Sequence, residues 1–124
     1  MTEEIRKTRW GFDQILATGE GFKIKLLHLD PTRTTSLQYH EHRDEYWVIL
    51  SGYGVVFIEG ETMFIEAGDT IRINKMIQHK IIADSQSPLE ILEIQTGEIC
   101  EETDIIRLEN IALEELNEHG QERN

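Results

Sequence analysis

The chain of 124 residues carries 24 acidic and 12 basic side chains, a formal net charge of −12, and a single cysteine, Cys100. That length supports one domain, an internal disulfide is excluded, and a field of this sign repels polyanions, which excludes a general nucleic-acid binder. An anionic substrate would need basic side chains gathered locally. Half of the first ten residues are charged, with no apolar run, and no stretch approaches the length of a membrane span. The sequence therefore reads as a cytoplasmic protein without a membrane partner.

In chain order, the middle of the sequence is a series of short β-prone segments. Residues 22–29 form the first, rich in Ile and Leu and entered through Gly19-Glu20-Gly21. Residues 34–40 follow the Asp30-Pro31 break, and residues 45–51, with Tyr46, Trp47, Val48 and Ile49, stop at Gly52. Residues 55–59 and 62–66 flank Gly60-Glu61, which reads as a hairpin turn. Ala67-Gly68-Asp69 leads to residues 70–73, and residues 78–83 and 89–95 complete the set. Many short strands between turn signals specify a sandwich or barrel. Residues 111–119 alone read as helix, with Ile111, Leu113 and Leu116 as apolar positions and Asn110 as a cap.

Chemistry concentrates between Ser36 and Trp47. Residues two apart on a strand share a face, so Gln38 and His40 point the same way, and Glu45, Trp47 and Ile49 share a face of the next strand. A carboxylate placed inside an apolar barrel costs several kcal/mol unless a cation compensates it. Another histidine, His79, opens a later apolar strand. His40 and His42 also share a face, so His42 is an alternative to Gln38 as a ligand.

These residues resemble the two motifs of the cupin superfamily, an all-β jelly-roll barrel (double-stranded β-helix). Counting back from Gly52, six residues lead to Glu45, four more to His40, and Gln38 takes the position of the first histidine. Gly68 and His79 stand at the ends of the second motif, while Asn74 and Met76 occupy its usual Pro and Gly positions and Thr32 that of the first motif's glycine. The run from Thr35 to Trp47, Thr-Ser-Leu-Gln-Tyr-His-Glu-His-Arg-Asp-Glu-Tyr-Trp, is similar to the type II mannose-6-phosphate isomerase cupin. That domain also forms the C-terminal part of bifunctional mannose-1-phosphate guanylyltransferases. Arg9-Trp10-Gly11 stands for the family's opening Pro-Trp-Gly, and Glu93-Ile94-Gln95 with residues 102–107 for its closing stretch. The likeness covers about residues 9–110, within one cupin domain over residues 1–124 that ends in a short C-terminal helix and an acidic tail.

The resemblance implies one divalent metal ion (Zn, Mn, Fe, Co or Ni) held by Gln38, His40, Glu45 and His79. It implies a sugar phosphate as small-molecule partner, isomerised between mannose 6-phosphate and fructose 6-phosphate, and assembly as a homodimer. Candidates for the base are His42, Glu41 and Glu93, with His42 preferred because imidazole is the side chain most often used as a general base. Arg43 reaches the metal if its loop folds over the barrel mouth, and is otherwise a surface arginine. Lys25 shares a face with Lys23, Leu27 and Leu29 and is either an interior cation or a snorkelling one. Arg43, Lys25 or Arg107 would hold the phosphate. The rivals are an Fe(II)-dependent dioxygenase built on His40, Glu45 and His79, and a metal-containing sugar-binding module without catalysis.

Overall fold

The structure, a computed structural model, describes residues 4–108; the helix expected over residues 111–119 lies outside them. In chain order the strands are β1 (Glu4–Lys7), β2 (Gly11–Gly19), β3 (Phe22–Leu29), β4 (Gln38–His40), β5 (Arg43–Ser51) and β6 (Tyr53–Ile58). Then come β7 (Glu61–Glu66), β8 (Thr70–Ile73), β9 (His79–Ala83), β10 (Leu89–Gly97) and β11 (Ile105–Arg107), the last preceded by a 3-10 turn at Glu102–Asp104. Two antiparallel sheets face each other, one ordered β1-β2-β3-β10-β5-β8 and the other β11-β4-β9-β6-β7. No helix among the described residues is long and apolar enough to cross a membrane. Within the Thr34–His40 segment, only Gln38–His40 forms a strand, and Thr34 makes an isolated bridge to Ile82. The hairpin turns at Glu59-Gly60, both with positive φ, so Glu61 already belongs to β7.

The barrel is apolar at one end and polar at the other. Along β5 the buried face runs Arg43, Glu45, Trp47, Ile49; along β10 it runs Leu89, Ile91, Glu93, Gln95. Because the two strands are antiparallel, Gln95 falls opposite Glu45 and Ile91 opposite Ile49. On β3 the change from polar to apolar lies between Lys25 and Leu27, and on β9 between His79 and Ile81. Leu29, Ile49, Val56, Ile65, Ile81, Leu89 and Ile91 fill the apolar end. Burying each large aliphatic side chain contributes about 1.5–3 kcal/mol, enough for that end to carry a charged one.

Two backbone details hold the polar end in place. Gly97, the last residue of β10, pairs with Arg43, and a Cβ there would lie 2.3 Å from the His42 carbonyl oxygen and 2.7 Å from Arg43 Cα. In the Asn74–Met76 loop, where the motif's glycine is replaced, Met76 sits at φ 71, and its N–H donates to the His40 carbonyl at 2.7 Å. Lys75 N–H donates to Asp44 at 2.8 Å. A methionine in the left-handed region costs about 1–2 kcal/mol. Met76→Gly is therefore expected to raise stability by up to about 1 kcal/mol, read as a shift in denaturation midpoint.

Candidate active site

Glu45 is the hub of the polar end. Its Oε2 accepts from Arg43 Nε at 3.1 Å and lies 3.0 Å from Arg43 Nη2 and 3.0 Å from His40 Nε2. Its Oε1 accepts from Trp47 Nε1 at 3.1 Å and lies 4.0 Å from His79 Nε2. Burial alone would push this carboxyl up, but His40, His79 and Arg43 together hold it far below the ordinary carboxylate range. Arg43 is thus no surface arginine: it opens β5, is 2% exposed, and is also tied to the Glu101 carbonyl at 2.9 Å.

The donor set fits a divalent cation. The carbonyl oxygen of Ile77 can only accept, so the 2.9 Å contact from His79 Nδ1 places the ring proton there and leaves a lone pair on Nε2. Burial lowers the His79 pKa and keeps the ring neutral, despite the opposing charge of Glu45. Nε2 and Glu45 Oε1 are then two acceptors turned toward each other, an arrangement that a cation satisfies. His40, Glu45 and His79 each offer one ligand atom within 4.8 Å of the others. Gln38 lies directly across from His79 in the β4–β9 pairing and donates its amide nitrogen to the Ser36 carbonyl at 3.2 Å. Its carbonyl oxygen is left for a donor or a metal. Nitrogen and oxygen ligands without thiolate suit the first-row divalent ions.

Next to this cluster, Glu93 is buried and hydrogen-bonded to Glu45. Burial first, then the charge and hydrogen bond of Glu45, push its carboxyl up to about 8 against the pull of Arg43 and Lys25. Gln95 donates to Glu93 Oε1 at 2.7 Å, and its own Oε1 is buried without a partner among the described residues. Lys25 is the interior cation: it is 4% exposed, with Nζ 3.7 Å from the buried Asp13, whose carboxylate also binds Arg6. A cavity of about 330 Å³ opens over these groups and is lined by Gln38, Arg43, Glu45, His79, Glu93 and Gln95. Lys25 and Arg107 line it too.

His42 is not brought there. It sits half-exposed in the turn before β5, with Nδ1 4.0 Å from Glu98. Its backbone N–H and that of the exposed Glu41 donate to Asp104, which pins this turn. Asp13, Gln95 and the β1 cations Arg6 and Lys7 were not singled out from sequence. The available signals were parity, since Gln95 alternates with Ile91 and Leu89 on an inward face, and the need of a buried Lys25 for a counter-ion.

Comparison with known proteins agrees with this architecture. The family described as "Mannose-6-phosphate isomerase C-terminal" matches residues 2–110. A Vibrio cholerae protein provisionally named mannose-1-phosphate guanylyltransferase is 35% identical over 101 residues, 82% of this chain and 22% of the relative. The chain thus spans about a fifth of the length of the curated relatives it matches. A cupin protein from Bacteroides fragilis superposes with a TM-score of 0.59 at 32% identity, over 66% of this chain and 70% of that one. Oxalate decarboxylase from Bacillus subtilis, at 16% identity, shares the fold alone, with a TM-score of 0.78 over 97% of this chain and 35% of its own. With the family matched from end to end of the barrel and the cupin strands in place, the chain belongs to the mannose-6-phosphate isomerase C-terminal family.

Proposed function

We propose that this cupin domain is a metal-dependent aldose–ketose isomerase of a phosphorylated sugar, of the mannose 6-phosphate to fructose 6-phosphate type. The observation that carries the reading is the convergence, in one cavity, of the Glu45–His79 ligand pair, the buried carboxyl of Glu93 and a basic lining. The relatives' guanylyltransferase name is not transferred, because the match covers about a fifth of their length.

Gln38, His40, Glu45 and His79 would hold the divalent ion, which supplies Lewis-acid stabilisation of the negative charge that develops on the sugar oxygens. Glu93 takes the role first assigned to His42. In its ionised form Glu93 takes the proton from C2 of the open-chain aldose; the C–H electron pair becomes the C1–C2 double bond and the carbonyl pair moves onto O1. The proton of the O2 hydroxyl passes to O1, and Glu93 returns its proton to C1 as the C2–O2 carbonyl forms, giving the ketose with no net gain or loss of protons or electrons. A carboxylate of raised pKa is a stronger base for this work than an ordinary one. Gln95 orients that carboxyl and offers its unpartnered Oε1 to a sugar hydroxyl.

The test has two readouts. Purified protein should carry about one divalent ion per chain, and His79→Ala should weaken metal affinity by at least about a hundredfold, the scale of losing a ligand or its support. In deuterated water, mannose 6-phosphate should exchange its C2 proton, and EDTA should abolish the exchange. Absence of exchange with any hexose phosphate, in protein loaded with Zn, Mn, Co or Ni, would remove the isomerase reading and leave a metal-containing sugar-binding module.

A further inference from the structure

The protein's overall charge is −12, yet half of its 12 lysines and arginines line this one cavity: Arg6, Lys7, Arg9, Lys25, Arg43 and Arg107. Three of them answer carboxylates on the cavity wall. Arg6 and Lys25 bind Asp13, and Arg43 binds Glu45. Lys7 and Arg9 have no carboxylate partner among the described residues and are exposed. They come from β1 and the turn after it, at the edge of the six-stranded sheet. Arg107 comes from β11, the edge strand of the other sheet, directly across from Gln38.

The short segment that carries Lys7 and Arg9 is fixed at both ends. Arg6 is bonded to the buried Asp13, the Thr8 N–H donates to the Gly11 carbonyl at 3.0 Å, and Asp30 N–H donates to the Trp10 carbonyl at 2.8 Å. Trp10 packs on the core. Two exposed cations held in place beside a cavity, in a protein whose net field repels anions, form a local anion trap.

We propose that Lys7, Arg9 and Arg107 form a phosphate clamp at the cavity mouth, drawn from the edge strands of both sheets, that holds the phosphate of a sugar phosphate while its sugar end reaches Glu93 and the ligand cluster. The clamp rests on the phosphosugar reading of the cavity and deepens it. It assigns the phosphate to Lys7, Arg9 and Arg107, and leaves Arg43 and Lys25 as wall cations already answered by Glu45 and Asp13.

Calorimetric titration of the full chain with mannose 6-phosphate, mannose and inorganic phosphate tests it. Lys7→Gln and Arg9→Gln should each weaken mannose 6-phosphate binding about tenfold, and the double variant about a hundredfold, the scale of lost charge-assisted hydrogen bonds. Mannose binding should stay as in the unaltered protein, and inorganic phosphate should compete with the sugar phosphate. Both side chains are exposed, so an unchanged melting temperature will show that the fold is intact. The clamp is overturned if the double variant binds mannose 6-phosphate within about twofold of the unaltered protein, if inorganic phosphate does not compete, or if the unaltered chain binds neither anion. Clamp-dependent binding without C2 exchange would sink the isomerase reading alone. Exchange that persists in the double variant at unchanged KM would sink the clamp alone.

Discussion

Glu45→Ala is expected to destabilise the metal-free protein by about 3–5 kcal/mol, the cost of leaving a buried charge without its partner. The Arg43 guanidinium, 2% exposed, would retain only the Glu101 carbonyl among its described hydrogen bonds, and Trp47 Nε1 would lose its acceptor. Urea denaturation of EDTA-treated protein measures the loss. Arg43→Met in the same background should recover part of it, since removing both members of a buried pair is far less harmful than removing one. If the double variant is no more stable than Glu45→Ala, the pair is not what the charge at this end depends on. The same single change should also reduce metal occupancy to background, because it deletes the only carboxylate of the ligand cluster His40, Glu45 and His79.

Glu93→Gln is expected to lower the rate of C2 proton exchange by about 10²–10⁴, the contribution of a positioned general base, while mannose 6-phosphate still binds. A second readout separates this from a structural role. The Glu93 carboxyl is pushed up to about 8 in the folded state from an ordinary 4.5. The unfolded chain therefore holds fewer protons at this site between those two values, and stability falls as pH rises through that window. Metal-free protein should be more stable at the acid end of the window than at pH 8, and Glu93→Gln should flatten that slope. A slope unchanged in the variant would place the proton elsewhere; an exchange rate unchanged in the variant would free Glu93 of the chemistry.

Much of the barrel was legible because its strands alternate. Glu45, Trp47 and Ile49 could be assigned to one face from parity alone, and the structure buries all three. β1 and β2 were missed: Glu4–Lys7 is exposed throughout, and Gly11–Gly19 mixes Asp13 and Gln14 with its apolar residues, so neither shows a clean period. β11 is three residues long and takes its conformation from pairing with β4, which no local pattern encodes. Within the site, histidine and glutamate spacing located the ligand cluster. The same spacing placed His42 next to it on paper, but the turn before Arg43 sends that ring outward, and turn geometry of this kind depends on Asp104, more than sixty residues away. Arg43 and Glu93 acquire their character from burial beside Glu45, an electrostatic property of two strands together.

Gly97 touches none of the groups assigned to chemistry, and its own position is the blunt end of a strand. Yet the backbone that carries Arg43 runs 2.7 Å from where any Cβ would stand, in a conformation of φ +150 that side chains rarely adopt. In a saturation-mutagenesis survey scored on exchange activity, position 97 should therefore tolerate substitution about as poorly as the metal ligands, through displacement of the Arg43 main chain. A map of intolerant positions drawn without the structure would enrol it among the functional residues, and a search for reactive atoms there would find none.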